Sequence, residues 1–174
     1  MTGRQRPDGP QPGSPEHRRA PDLATRQREL VAALVAGAPV PAGLDRGRFV
    51  AAERALRAKR AGEVARAWPL LAAALGETFR TLFTQWAAAR PPHGALRDGW
   101  DFARELAAAD RLPGLAVGEL AARDVRSRYD GSREPRPRWM PALRPVPGGW
   151  LVGLPGLGVC PIRRPGGVHR RHTG

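Results

Sequence analysis

The chain has 174 residues, a length that suits one domain with tails. Its formal charge is +13, built from one lysine, Lys59, and 28 arginines among 29 basic residues. Cys160 is the only cysteine, which excludes an intramolecular disulfide, a Cys-pair zinc site and a dithiol redox motif.

Residues 1–22 are polar and rich in Pro and Gly, cannot bury enough apolar surface to offset chain entropy, and are expected to form a disordered tail. They hold no apolar run, so no signal peptide is expected. Nowhere does the chain offer the roughly 20 apolar residues of a membrane span. A cytoplasmic location is the expectation.

The helical region is expected over residues 23–131. Leu23, Gln27, Leu30, Val31, Leu34 and Val35 recur at helical spacing and predict a first helix over 23–36, with Asp22 as its N-cap and Gly37 closing it. Asp45 is placed to cap a long helix over 46–67, with Phe49, Ala52, Leu56, Val64 and Ala67 towards one side and Gly62 as a weak point. Pro69 breaks that helix, because it lacks an amide hydrogen and clashes with the preceding turn. A short third helix carries Leu70, Leu71 and Leu75 and is closed by Gly76. Phe79, Leu82, Phe83 and Trp86 mark a fourth over 77–89, stopped by Pro91 and Pro92. A fifth over 96–109 holds Trp100, Phe102, Ala103 and Leu106, with Asp98 as a candidate N-cap. A sixth over 114–128 turns Leu115, Gly118, Ala122 and Val125 inward.

Beyond Gly131 the pattern changes. Residues 132–162 hold short apolar runs split by turns, and Pro147-Gly148-Gly149 is a hairpin signal. A β-hairpin or three-stranded segment packed on the helical core is expected. Residues 163–174 should be a disordered basic tail. The fold class is therefore mainly α: a compact bundle of five or six helices with a small C-terminal β segment and disordered ends.

Chemistry is sparse. A nucleophile must sit beside a base held in place by a third group. His17, His169 and His172 fall in expected tails, and His93 falls in an inter-helix loop. Asp98, Asp101 and Glu105 lie at i, i+3 and i+7, yet capping explains Asp98 better than general-acid work does. Gly153–Gly158 contains proline and opens no helix, so it reads as a turn and not as a phosphate-binding loop. No catalytic residue, metal ligand or cofactor is expected, and the chain reads as a non-enzyme.

Contact surface is the positive signal. Arg57, Lys59 and Arg60 crowd the long helix, and Arg60 stands partly on its apolar side, one turn from Leu56 and one from Val64. That position implies an internal ion pair or a partner contact. Trp139 and Trp150 fall in the thin C-terminal segment, where little core exists to cover them, and exposed aromatics beside Arg are a common interface composition. Arg57, Lys59, Arg60, Trp139 and Trp150 are thus the candidate partner-binding residues. The alternative is a nucleic-acid binder using its basic helical surface, since positive charge attracts phosphate without sequence preference.

The middle of the chain also resembles a known family. Trp68-Pro69, Leu75-Gly76, Phe79, Leu82-Phe83, Trp86 and Pro91-Pro92, then Leu96, Gly99, Phe102, Leu106 and Leu112-Pro113, are similar to the aromatic-Pro, Leu-Gly-x-x-Phe, aromatic and Pro-Pro pattern of a helical family that bears a DNA-binding-domain label. Its members are partner proteins of the multinuclear non-haem iron maturases that make bufferin-type modified peptides. A similar accessory domain stands at the C-terminus of some such maturases from GC-rich bacteria. The resemblance covers residues 27–131, and it departs where the family has Tyr-Arg-x-Asn and this chain has Ala52-Glu53-Arg54-Ala55. It implies an accessory role: binding a precursor peptide or docking onto a separate maturase.

Overall fold

The computed structural model describes residues 23–36 and 39–163. Six helices come in order: α1 Leu23–Ala36, α2 Arg46–Ala67, α3 Pro69–Leu75, α4 Thr78–Trp86, α5 Ala95–Ala108 and α6 Gly114–Arg126. A 3-10 turn, Ala87–Ala89, extends α4. Two small antiparallel sheets follow. One pairs β1 Ser127–Arg128 with β2 Arg136–Pro137, and the other orders β3 Ala142–Val146, β4 Gly149–Leu154 and β5 Gly158–Arg163 side by side. Of the expected disordered ends, 1–22 and 163–174, residues 1–22 and 164–174 lie outside the described residues, as does Gly37, while Arg163 pairs with Gly149 as the last residue of β5.

Local chemistry explains most boundaries. The Asp45 carboxylate accepts the Arg48 amide at 2.7 Å and caps α2. Trp68 takes an extended φ of −127° ahead of Pro69, as a pre-proline residue must, and the chain restarts as α3 with proline in its first turn. Trp68 therefore stands between two helices and not inside one. Gly76 ends α3 at φ +55°, a left-handed value that glycine tolerates. Pro147-Gly148 forms the hairpin turn between Val146 and Gly149, with Gly148 at φ +82°.

Several inward faces differ from the pattern. On α1, Ala33 is buried while Leu23 and Val31 are exposed. On α2, Phe49, Ala61 and Val64 are buried, and Leu56 is exposed. On α6 the buried positions are Ala116, Glu119, Ala121 and Val125, and Leu115 faces out. The α6 helix packs against α3 and α5 as well as the three-stranded sheet, so its inner surface is wider than a single stripe. It ends at Arg126, two residues before the expected end, because Ser127 and Arg128 pair with β2.

The core centres on Trp68, Trp100, Phe79, Phe83 and Phe102. Trp68 and Trp100 meet edge-on with centroids 5.8 Å apart, and Phe83 meets Phe102 the same way at 5.4 Å. Such pairs add about 0.5–1.5 kcal/mol beyond their burial. Gly99 makes the first contact possible: a Cβ there would lie 2.2 Å from Trp68 Cδ1. The side chain in the way is an immobilised indole, so it cannot yield cheaply.

Two substitutions separate that contact from ordinary glycine cost. Gly99→Ala should destabilise by about 1–3 kcal/mol or more through overpacking. Gly62→Ala, where nothing lies within 4 Å of the added carbon, should stabilise α2 by roughly 0.4–1 kcal/mol. Urea unfolding midpoints should move in opposite directions; a shift of the same sign in both would contradict the packing described.

Candidate functional site

The five sequence-predicted residues occupy three places. Arg57, Lys59 and Arg60 line a small hollow of about 180 Å³ with Leu34, Val35, Leu56 and Pro92. Trp139 lines an open groove of about 570 Å³. Trp150 stands on the three-stranded sheet.

Arg60 is spent inside the fold. Its Nε donates to Asp98 Oδ2 at 2.6 Å, Nη1 donates to the Arg90 carbonyl at 2.7 Å, and Nη2 donates to the Pro91 carbonyl at 3.1 Å. The guanidinium also lies over the rings of Phe83 and Trp86. This is the internal pair that its place on the apolar side implies, and little of it remains for a partner. Asp98 is buried, and its Oδ1 accepts the His93 amide at 3.0 Å. It is not the N-cap of α5: the helix starts at Ala95 behind Gly94, and Asp98 reaches back from its first turn. Arg57 pairs with Glu53 along α2. Lys59 is exposed and stands 3.9 Å from Glu63. Of the three, Lys59 alone presents its charge freely to solvent.

The other carboxylates expected to share a face on α5 have separate duties. Asp101 accepts the Tyr129 hydroxyl at 2.9 Å, and Glu105 accepts Trp86 Nε1 and Arg90 Nη2, each at 2.9 Å. Among the described residues no three His, Cys, Asp or Glu side chains gather to hold a metal ion. No described helix is long and apolar enough to cross a membrane.

The groove holding Trp139 is built by the β1–β2 ribbon. Arg128, Arg133, Arg136 and Arg138 line it, with Asp130, Glu134, Pro137 and Met140. Trp139 is 85% exposed. Asp130 shapes the turn: its Oδ1 accepts the Ser132 amide, the Ser132 hydroxyl and the Arg133 amide. These bonds hold its carboxyl well below the usual range. Glu134 pairs with Arg97 at 3.2 Å.

The three-stranded sheet supplies the second surface. Paired residues on neighbouring strands share a face. Ala142, Gly153 and Val159 are in register and face α6, where Gly153 packs so closely that a Cβ would lie 2.5 Å from the Val125 carbonyl oxygen. The opposite face carries Leu143, Val152 and Cys160 in one row and Pro145, Trp150 and Ile162 in the next. Leu143, Trp150 and Ile162 are 48%, 38% and 53% exposed, and among the described residues nothing covers this face. Its apolar, contiguous make-up departs from the polar outer face of an ordinary two-layer sheet.

Three residues that carry the geometry were not singled out in the sequence. Glu119 is buried; its Oε2 accepts the Leu71 amide at 2.8 Å and its Oε1 accepts from Arg123. Asp124 accepts Trp100 Nε1 and Arg104 Nη2 on Oδ1, its carbonyl accepts Arg138 Nε, and its Oδ2 lies 3.6 Å from Arg144 Nε. Tyr129 is buried between Trp100 and the guanidinium of Arg104. The i,i+4 spacing of Glu119 and Arg123 was the one visible signal for any of them.

Residues 24–108 match the family model described as SCO6045-like, C-terminal domain. That stretch takes in α1 to α5. A UPF0276 protein of Streptomyces avermitilis is 41% identical over 140 residues, which is 78% of this chain and 28% of the relative. The chain thus spans less than a third of that relative's length. No solved structure matches it.

Two predictions test this geometry. Arg60→Met leaves Asp98 buried and unpaired and should cost about 3–5 kcal/mol; an unchanged unfolding midpoint would mean the pair is not formed. Tyr129 is the only tyrosine, so tyrosinate absorbance reports it alone. Burial pushes its phenol up, the Arg97 guanidinium opposes, and the Asp101 carboxylate adds to the rise. The folded state therefore keeps this proton at pH values where the unfolded tyrosine, near 10, has lost it. Its contribution to stability is complete below about pH 10 and falls as pH rises towards the folded value. A titration midpoint at or below 10 in the folded protein would contradict the burial.

Proposed function

We propose that this chain is a non-catalytic docking module of a peptide-modification system, which binds a precursor peptide or docks onto a separately encoded multinuclear non-haem iron maturase. The observation that carries the reading is the apolar outer face of the C-terminal sheet, which no described residue covers, with Leu143, Trp150 and Ile162 exposed. A sheet face of this composition is costly in water, and burial recovers roughly 25 cal/mol for each Å² of apolar surface removed. A protein partner is the natural cover for it.

The comparisons support the same reading. The matched family is described as a C-terminal domain, and the Streptomyces relative holds its similar segment within a chain several times longer. The sequence likeness to maturase partner proteins supports a maturase or its precursor peptide as the partner.

A second reading, nucleic-acid binding, draws on the +13 charge. Part of that charge is committed to internal pairs and aromatic faces, as Arg60, Arg104 and Arg123 illustrate. Generic electrostatic attraction to DNA would collapse between low and moderate salt.

Co-expression with a multinuclear non-haem iron maturase and a precursor peptide tests the proposal. The full chain should co-elute with one of them at micromolar concentration and near-physiological salt. The double variant Trp150→Glu, Ile162→Glu should lose at least tenfold in affinity with an unchanged unfolding midpoint. Clean separation of all three proteins would overturn the reading.

A further inference from the structure

The groove at residues 128–140 has a composition that the apolar sheet face does not explain. Four arginines line it, Arg128, Arg133, Arg136 and Arg138. Arg138 is anchored by its Nε to the Asp124 carbonyl, which leaves its terminal nitrogens for other acceptors. Arg128, Arg133 and Arg136 form no ion pair with any described residue. The two carboxylates of the wall form no ion pair with these three: Asp130 accepts from the Ser132 and Arg133 amides and Glu134 pairs with Arg97, so the four arginines outnumber the acids two to one. Beside this excess of positive charge stand Trp139 and Met140, both exposed. A volume of about 570 Å³ falls within the roughly 300–1,000 Å³ of ligand clefts.

We infer that this groove binds an acidic, extended segment of a protein, with discrete carboxylates on Arg128, Arg133 and Arg136 and one apolar side chain on Trp139 and Met140. The inference rests on the docking reading and adds the chemistry of what is recognised. Planar guanidinium groups match carboxylates two bonds at a time, which fixes direction as well as charge. The mixed sign of the wall decides against nucleic acid. A polynucleotide brings one negative charge per nucleotide past every point of the groove, so some phosphates would face Asp130 and Glu134. A peptide can place a neutral or basic residue there and keep its carboxylates for the arginines. Trp139 alone would serve either ligand, since a base can stack on it as well as an apolar side chain can pack.

The test uses the full chain and three fluorescein-labelled probes read by anisotropy. One is a synthetic 12-residue peptide rich in Glu and Asp with a single Phe; the second replaces that Phe with Ser; the third is a single-stranded oligothymidylate of equal charge. The Phe-containing peptide should bind at micromolar Kd, at least tenfold tighter than the Ser version and than the oligonucleotide at 150 mM salt. Arg133→Ala with Arg136→Ala should weaken it at least tenfold, and Trp139→Ala should abolish the preference for Phe. All three side chains are exposed and lie outside the core, so the unfolding midpoint should stay put. Tighter binding of the oligonucleotide with the same dependence on Arg133, Arg136 and Trp139 would overturn the inference in favour of nucleic acid. No peptide binding, or peptide binding that ignores these substitutions, would overturn it outright. The outcomes are separable from the docking reading: if these variants still co-elute with maturase or precursor while the peptide fails to bind, the groove inference falls alone.

Discussion

The fold depends on how closely one indole ring approaches one helix. Trp68 sits where α2 breaks at Pro69, and its ring lies against the backbone of α5 at Gly99. Its Nε1 donates to the Leu96 carbonyl at 3.0 Å, so the ring's polar edge is satisfied although it is fully buried. The Arg123 guanidinium covers its other side with its carbon 4.1 Å from the ring centroid. Arg123 also donates to the Ala67 carbonyl at the end of α2 and to Glu119, and Glu119 in turn takes the Leu71 amide of α3. One residue thus brings α2, α3, α5 and α6 to a single point. The break at Pro69 frees backbone groups that α2 would otherwise have paired, and α6 supplies the partners for them.

The same arrangement changes what the arginine content means. Arg60 lies over Phe83 and Trp86, Arg90 over Trp86, Arg104 over Trp100 and Tyr129, and Arg123 over Trp68. In each case the guanidinium also donates to a carboxylate or a backbone carbonyl. Lysine could not replace this, because a compact ammonium neither stacks on a ring nor reaches two acceptors in one plane. These four guanidinium groups are therefore packing material. The β1–β2 ribbon gathers Arg128, Arg133 and Arg136 in one groove without ion pairs to any described residue, so where the charge sits is a better guide than its net value.

Helix positions were legible in the sequence because their stops are covalent: Pro69, Gly76, Pro91 and the Pro147-Gly148 turn act through backbone geometry alone. The α2 and α1 spans and the hairpin agree with the residues that predict them. The inward faces were less legible. On α6 a carboxylate, Glu119, occupies a buried position, and an apolar stripe cannot reveal it. Leu115 looks like core at helical spacing yet faces water, since the elements on both sides of α6 set its orientation. The candidate residues divide along the same line. Trp139 and Trp150 were legible as exposed because the short apolar runs around them offer little core to cover them. Arg128, Arg133 and Arg136 were not, because the groove exists only once a two-residue ribbon pairs across an Asp130 turn.

Asp124 then ties the two exposed surfaces to this core. One oxygen of its carboxylate holds Trp100 and Arg104, the other faces Arg144 on β3, and its carbonyl holds Arg138 on the groove wall. The sheet and the ribbon are therefore fixed to the buried tryptophan cluster through one residue of α6, and Gly153 lets β4 lie directly on Val125 one position further along. Rigid placement matters for a binding surface, since each side chain ordered only on association costs roughly 0.5–1.5 kcal/mol. An apolar sheet face and an arginine groove that are already anchored avoid part of that cost. The helical bundle holds these two short β structures in a fixed orientation, and the proposed docking role depends on that placement.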